Sequence, residues 1–407
     1  MGRPGREHRS AKHEGSPVSA ATFTPDDRRH MARALALAER GLYSTTPNPR
    51  VGCVIVDEGE VIGEGWHVRP GEAHAEVAAL ADARAKGRDP RGATLYVTLE
   101  PCNNHGRTPP CVDAVLASGV ARVVMSLRDP NPAQGGGALR LQRAGVRVDA
   151  GLLEAEAAAL NAGFVSRMTR GRPWVRTKLA TSLDGRTALA GGESRWITGS
   201  AARADGHAWR ARACAILTGV GTVLHDDPQL TVRDVATTRQ PLRVVVDRHA
   251  DTPPSARVLA GGDALVVTAG SRNDRWPATV DTLALPDGAG RVDLEAMLRA
   301  LAGRGINEVH VEAGAKLNGA LLAAGLIDEM LIYVAASVIG DPARGMFEFA
   351  SPLASLARRV ALAWTSVDRI GDDLRIVARV LAAAQGTTTH GGREGAVAPP
   401  LPERERS

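Results

Sequence analysis

The stretch from Gly71 to Val112 constrains this chain more than any other. It reads G-E-A-H-A-E-V and then, after an interval, L-E-P-C-N-N-H-G-R-T-P-P-C-V. His74 offers an imidazole, and Cys102 and Cys111 offer thiolates. Three protein ligands of this kind leave one tetrahedral zinc position open for water, the pattern of a catalytic zinc site, whereas a structural site fills all four. Glu76 lies just beyond His74, near enough to reach a zinc-bound water without ligating the metal. A carboxylate there shuttles protons during attack on an amidine-like ring carbon, which is the chemistry of hydrolytic deamination. The competing reading is that the histidine and cysteines are packing residues, since unpaired Cys behaves as a small buried hydrophobe.

The general signature of zinc deaminases joins H-x-E to P-C-x-x-C. This chain has H-A-E and P-C, but a much wider gap before the second cysteine. Helices are expected to open at both ends of the cluster, in H-A-E-V-A-A-L-A-D-A-R-A and in C-V-D-A-V-L-A-S-G. A thiolate at a helix N-terminus is favoured by the macrodipole.

Length and composition set the frame. A chain of 407 residues suggests two or three domains, and 44% apolar with 23% charged residues is ordinary for a globular protein. The net charge of +5 permits an anionic partner, yet no dense basic stripe with interleaved aromatics is present, so a small phosphorylated molecule fits as well as a polyanion. Cys53, Cys102, Cys111 and Cys214 are too few for a disulfide framework, which points to a reducing compartment. The basic N-terminus lacks the apolar run of a secretory signal, and no window reaches the length of a membrane span. A cytoplasmic protein without a membrane partner is expected.

Along the chain, residues 1–22 and 385–407 are too polar and too rich in breakers to build a core, and are expected as disordered tails. Thr24-Pro25-Asp26-Asp27 marks a helix start, with Met31, Leu35 and Ala38 as its apolar stripe. V-G-C-V-I-V and V-I-G-E-G-W, separated by D-E-G-E, read as a hairpin leading to His74. Strands at 93–98 and 121–126 alternate with helices, which argues an α/β layered sheet with the metal-bearing segments at one edge. After a helix from Leu152, S-R-M-T-R-G-R-P reads as a linker, placing a boundary near residue 170. Beyond it W-V-R-T-K-L-A, L-R-V-V-V-D, A-L-V-V-T-A, V-D-T-L-A-L, E-V-H-V-E-A and M-L-I-Y-V-A are strand candidates, with helices at 201–212 and 294–302.

This second half has no metal cluster or hydrolase triad. T-G-V-G-T at 218–222 allows close backbone approach of a ligand, and V-E-A-G-A-K-L at 311–317 places small residues where a strand meets a helix, a favourable place for an anion. Neither is a Rossmann fingerprint, and either reads equally well as a turn. Lys178, Asp184, Arg210, Asp226 and Arg233 are candidate ligand contacts or, alternatively, surface ion pairs. In the first half Asn48, between two prolines, is a turn former or a contact, and His67 is a half-buried histidine or a contact.

Taken in order, T-P-N-P-R-V-G, H-A-E, T-L-E-P-C with G-R-T-P-P-C, D-P-N-P, K-L-A-T-S-L-D-G-R-T-A, S-R-W-I-T-G, D-D-P-Q-L-T-V-R and V-E-A-G-A-K-L-N-G closely resemble the bifunctional deaminase/reductase family of riboflavin biosynthesis. The wide cysteine gap is that family's own spacing. The resemblance implies a cytidine-deaminase-like α/β/α layered domain at 23–170, followed by a dihydrofolate-reductase-like α/β domain at 171–384. The first would use zinc to deaminate a ribosylaminopyrimidine phosphate, and the second would use NADPH to reduce the ribosyl group to ribityl. By motif, His74, Cys102 and Cys111 would hold zinc, Glu76 would move the proton, and Asn48, His67 and Arg107 would contact the deaminase substrate. Ala180, Trp196, Thr222, Asp226 and Gly314 would contact NADPH. Lys178, Ser194, Arg210, Leu230, Arg233 and Glu312 would contact the reductase substrate. Homo-oligomers are usual in such a family. One position departs: Asn104 stands where the family usually carries histidine, and an amide hydrogen-bonds but does not titrate near neutral pH, so deamination is expected to persist with altered affinity or pH response.

Two other readings compete. A nucleic-acid base deaminase with an accessory domain is disfavoured by the cysteine gap and the missing basic, aromatic-lined channel. A zinc-stabilised binding module is disfavoured by Glu76, for which it has no use.

Overall fold

The computed structural model describes residues 22–106 and 109–381. The expected tails, Thr22 apart, lie outside the described residues, and so does Arg107.

The N-terminal half begins with α1 (Pro25–Glu39), whose start is fixed by a capping box: the Thr24 hydroxyl accepts from the Asp27 backbone N–H, and the Asp27 carboxylate accepts from that of Thr24. The hairpin follows as β1 (Gly52–Asp57) and β2 (Glu60–Trp66), then α2 (Ala75–Ala85), β3 (Thr94–Leu99), α3 (Cys111–Ser118), β4 (Arg122–Leu127), α4 (Gly137–Arg143), β5 (Arg147–Ala150), α5 (Glu154–Leu160) and α6 (Ala162–Arg170). The sheet order is β2-β1-β3-β4-β5. The period of two along β1 divides the core between the two faces. Cys53 and Ile55 join the cluster with Leu80, Val112 and Leu141 under α2, α3 and α4, while Val54 and Val56 join Met31, Tyr96 and Leu152 under α1 and α5. The result is an α/β/α sandwich.

Two glycines set how closely α2 lies on β2. A Cβ at Gly63 would fall 2.4 Å from the Ala79 carbonyl oxygen, and one at Gly65 would fall 2.5 Å from the Ala79 nitrogen. With Ala75, Ala79 and Ala83 on the facing helix, backbone meets backbone and the N-terminus of α2 is pinned. β2 and β3 both run antiparallel to β1, so they point the same way and the segments that follow them emerge on one side. The metal-bearing segments therefore meet at the ends of the strands, one of which is central, rather than along an edge of the sheet.

The expected linker at 166–173 is different in the structure. Helix α6 continues to Arg170 and ends on Gly171, which is left-handed at φ 66. Its basic residues are structural partners: Arg167 Nε donates to Asn307 Oδ1 at 2.6 Å, and Arg170 and Arg172 both bond the buried Asp328 at 2.8 Å. Basic residues that read as a solvated linker are in fact bonded across to the second half.

That half contains β6 (Trp174–Ser182), β7 (Arg186–Leu189), α7 (Ser200–Arg212), β8 (Ala215–Gly219), α8 (Val220–Asp226), β9 (Leu242–Val246), β10 (Ala264–Thr268), β11 (Asp281–Ala284), α9 (Leu294–Gly303), β12 (Glu308–Val311), α10 (Ala315–Ala323), β13 (Glu329–Ala335), β14 (Ala343–Gly345), β15 (Leu362–Ile370) and β16 (Asp373–Val380). Nine strands form one sheet in the order β11-β10-β9-β8-β12-β6-β13-β16-β15. The pairs from β11 to β13 are parallel, and β16 and β15 close the sheet antiparallel. Among the described residues no helix is long and apolar enough to cross a membrane.

Candidate active sites

The first site forms where α2 and α3 begin, beside the C-terminal end of β3. His74 is the N-cap of α2, Cys111 is the first residue of α3, and Cys102 lies in the turn after β3. Their ligand atoms lie within 4.8 Å of one another. His74 Nδ1 is 3.1 Å from Cys111 Sγ and 3.6 Å from Cys102 Sγ. Tetrahedral zinc with Zn–S and Zn–N bonds of ordinary length holds such atoms roughly 3.5–3.8 Å apart, so the set fits zinc with a small relaxation. The site's electrostatics suit a cation. Cys102 is pulled down to about 4 by the hydrogen bond from Cys111, with His74 adding to the effect, while Cys111 is pushed up by the same hydrogen bond and by burial.

Glu76 is only 3% exposed, in the first turn of α2. Burial pushes its carboxyl up to about 7, and the Cys102 thiolate adds to the shift. A carboxyl poised near neutrality next to an electrophilic centre is suited to proton transfer.

The structure brings Asn48 and His67 to the same place. His67 is buried, its Nδ1 lies 3.1 Å from the Ala73 carbonyl, and its ring meets that of His74 edge-on at 5.1 Å. The carbonyl requires the proton on Nδ1, so Nε2 accepts from Asn48 Nδ2 at 3.0 Å. Burial lowers the His67 pKa, in keeping with a neutral ring. Asn104 is exposed, and its amide donates to the Ala133 carbonyl.

Sequence reasoning missed Glu100, although it stands in the quoted L-E-P-C. This buried carboxylate accepts from the backbone N–H groups of Asp129, Gly136 and Ala138, tying the D-P-N-P loop and the start of α4 to the turn that carries Cys102. An acid at a strand end immediately before a ligand turn was the available signal.

The second site is a cavity of about 560 Å³ bordered by Lys178, Trp196, Arg210, Leu230, Arg233 and Glu312, with Arg195, Arg203 and Arg257 adding positive charge. Arg210 Nη2 donates to Glu312 Oε2 at 2.8 Å and Nη1 donates to the Thr231 carbonyl at 3.1 Å. Burial alone would raise the Glu312 carboxyl, but the Arg210 guanidinium outweighs it and holds the group well below the usual range. Burial lowers the Lys178 pKa. Arg233 is exposed, and its Nη1 donates to Gln229 Oε1 and Thr231 Oγ1 at 3.2 Å, which leaves further donors of the guanidinium for a ligand. Trp196 is 70% exposed at the mouth.

The remaining candidates do not border this cavity. Ala180, Thr222 and Gly314 come from β6, from the helix after β8 and from the N-cap of α10, and β8, β12 and β6 are neighbouring parallel strands. An added Cβ at Gly314 or at Gly221 meets nothing within 4 Å, so both helix starts are open to a ligand. An exposed nine-residue helix N-terminus beside a basic cavity suits the anionic phosphates of a dinucleotide such as NADPH. Asp226 closes α8, with its carbonyl bonded by Arg195 at 2.8 Å, and Ser194 lies in the same loop as Trp196.

Residues 24–127 match the cytidine and deoxycytidylate deaminase zinc-binding region, and residues 173–376 match the RibD C-terminal domain. The riboflavin biosynthesis protein RibD of Escherichia coli (strain K12) is 48% identical over 362 residues, covering 86% of this chain and 98% of that protein. The chain belongs to the RibD family. The RibD of Haemophilus influenzae is 42% identical, covering 87% of this chain and 97% of its own. Among solved structures, Acinetobacter baumannii RibD aligns with a TM-score of 0.81 at 42% identity, covering 88% of this chain and 99% of that one. A Thermotoga maritima protein described as a diaminohydroxyphosphoribosylaminopyrimidine deaminase/5-amino-6-(5-phosphoribosylamino)uracil reductase aligns at 0.80 and 36%, with the same coverage. This chain is thus a bifunctional deaminase and reductase of riboflavin biosynthesis, with zinc serving the first activity and NADPH the second. The nucleic-acid deaminase and binding-module readings are not favoured.

Proposed function

We propose that residues 23–170 deaminate the 2,5-diamino-6-ribosylaminopyrimidinone 5'-phosphate and that residues 171–384 then reduce its ribosyl group to ribityl. The observation that carries this reading is the pairing of an open three-ligand metal set with a buried carboxyl beside it, in one chain with a separate basic cavity. His74, Cys102 and Cys111 hold the zinc, which when bound supplies Lewis-acid activation of water. Glu76 carries the proton from the attacking water to the departing amine. Asn48, Arg107 and the neutral His67 recognise the pyrimidine; the hydrogen bond that His67 Nδ1–H donates to the Ala73 carbonyl fixes the His67 tautomer and so the direction in which its Nε2 faces.

In the reductase half NADPH, when bound, supplies hydride, so no protein nucleophile is needed. Gly314, Thr222, Ala180, Asp226 and Trp196 line its place, and Lys178, Ser194, Arg210, Leu230, Arg233 and Glu312 hold the substrate. Arginine forks suit a phosphate because two N–H groups match two oxygens. The Glu312 carboxylate keeps Arg210 oriented, and Arg233 is an exposed cation accessible for the phosphate.

The partner is a small phosphorylated pyrimidine rather than nucleic acid, and the enzyme works in the cytoplasm. A homo-oligomer is supported by apolar side chains exposed along the hairpin of the edge strand β15 and its neighbour β16, among them Trp364 at 67%, Val367 and Leu374. The test is to supply the diaminopyrimidine phosphate with and without NADPH and to follow ammonia release and NADPH oxidation separately. Ammonia is expected in both arms and oxidation in one; a zinc-loaded protein releasing no ammonia overturns the assignment.

A further inference from the structure

The loop that carries Asn48 is held from the other half of the chain. On one side of Asn48, the Pro47 carbonyl accepts from Asn307 Nδ2 at 3.0 Å and from Arg167 Nη2 at 3.2 Å. Arg167 in turn bonds Asn307 Oδ1, so these groups form a closed set. On the other side, Arg50 is buried and its Nη1 donates to Glu308 Oε1 at 2.7 Å. Further back, the Tyr43 carbonyl accepts from Arg239 Nε at 2.9 Å. Asn307, Glu308 and Arg239 all lie within residues 173–376, the reductase match.

Glu308 is a rigid anchor. It is 1% exposed at the start of β12 and also receives Arg176 and Arg212, at 3.2 and 2.8 Å. Burial would raise its carboxyl, but the three guanidinia reverse this and hold it well below the usual range. A fixed carboxylate inside a strand framework locates Arg50 more tightly than a surface ion pair does. Asn48 sits between these two anchors and donates to His67, which abuts His74. Recognition of a small ring depends on such placement, because a displacement of about 1 Å weakens the contacts that align it.

We propose that Asn307 and Glu308 are positioning residues for deamination: the reductase half holds the deaminase's substrate loop in register. The inference rests on the reading of Asn48 as a substrate contact. It gives the fusion of the two halves a physical role, since the deaminase then borrows part of its substrate site's support from its neighbour.

The test uses the full zinc-loaded chain. Asn307→Ala removes the bonds to Pro47 and Arg167 while leaving the charges around Glu308 paired. The KM for deamination is expected to rise about three- to tenfold, the effect of one or two hydrogen bonds, with kcat held within about twofold. Zinc content and NADPH oxidation of directly supplied deaminated substrate should not change. Arg50→Lys, which keeps the charge beside Glu308 but cannot also span the Leu160 and Leu42 carbonyls that the guanidinium bonds, carries the same expectation and serves if Asn307→Ala fails to fold. Asn48→Ala is the control. An unchanged KM in Asn307→Ala or Arg50→Lys, with a raised KM in Asn48→Ala, overturns the inference alone. An unchanged KM in Asn48→Ala overturns the reading beneath it and the inference with it. A fall in kcat and zinc content at constant KM assigns Asn307 a purely structural role and also overturns it.

Discussion

Replacing Glu76 by Gln tests the deaminase site most sharply. The change keeps the shape of a side chain that is almost fully buried in the first turn of α2, so packing is preserved while proton transfer is removed. His67 offers no substitute, because Nδ1 is engaged by the Ala73 carbonyl and Nε2 by Asn48. Losing a general acid–base costs about 10²- to 10⁴-fold in kcat, or about 3–5 kcal/mol of barrier, and with no alternative shuttle the upper part of that range is expected. Stability should move the other way. Burial raises the folded carboxyl from 4.5 to about 7, so the metal-free parent binds this proton more tightly folded than unfolded. Its contribution is present below the unfolded value and is lost as pH rises toward 7. The Gln variant lacks that loss, so metal-free Glu76→Gln should equal or exceed the parent in urea midpoint at pH 8. Ammonia release, zinc stoichiometry and urea unfolding together decide the matter. A kcat within about tenfold of the parent, or a loss of activity that tracks a loss of zinc, refutes the assigned role.

Three further outcomes follow from particular contacts. Arg233→Ala removes an exposed cation at the mouth of the reductase cavity, so the KM for the phosphorylated substrate should rise about 10- to 100-fold with folding intact, as steady-state NADPH oxidation would show. For Asp27, burial alone would raise the carboxyl, but hydrogen bonds from Arg122, Thr24 and Tyr96 hold it well below the usual range. Its stabilisation is therefore present above the unfolded value near 4 and lost as pH falls below it; Asp27→Asn should cost about 1–3 kcal/mol at pH 7 and less at pH 3, and parallel urea profiles for parent and variant would contradict this. At Gly52 an added Cβ would sit 2.0 Å from the Ala34 carbonyl oxygen, so Gly52→Ala should push α1 off β1 and lower thermal stability by about 1–3 kcal/mol or more in calorimetry.

Much of the first half was legible because its signals are local. The capping residues Thr24 to Asp27 announce α1, two β-rich runs around a short turn announce the hairpin, and His74, Cys102 and Cys111 carry their chemistry in their identity. The C-terminal hairpin was missed because β15 is an edge strand whose exposed face keeps Trp364 and Val367, so the usual alternation of polar and apolar residues is blurred. The basic run at 166–173 read as a linker because charged residues are usually solvated; here Arg167, Arg170 and Arg172 find partners more than a hundred residues away. In the reductase half, Lys178, Arg210 and Glu312 are singled out by motif order, and they do share a cavity, whereas Ala180, Thr222 and Gly314 are related only by lying on or just after the neighbouring strands β6, β8 and β12.

By itself, the sequence determined the candidate donor atoms for zinc, the carboxyl near them and the alternation of strands and helices, since each depends on residue type and short-range spacing. Tertiary structure alone decided that Glu76 is buried enough to titrate near neutrality, that His67 is held neutral with Nε2 facing Asn48, and that Glu308 gathers Arg50, Arg176 and Arg212. Burial and charge pairing depend on which distant segments the folded chain brings into contact, and no local pattern encodes that.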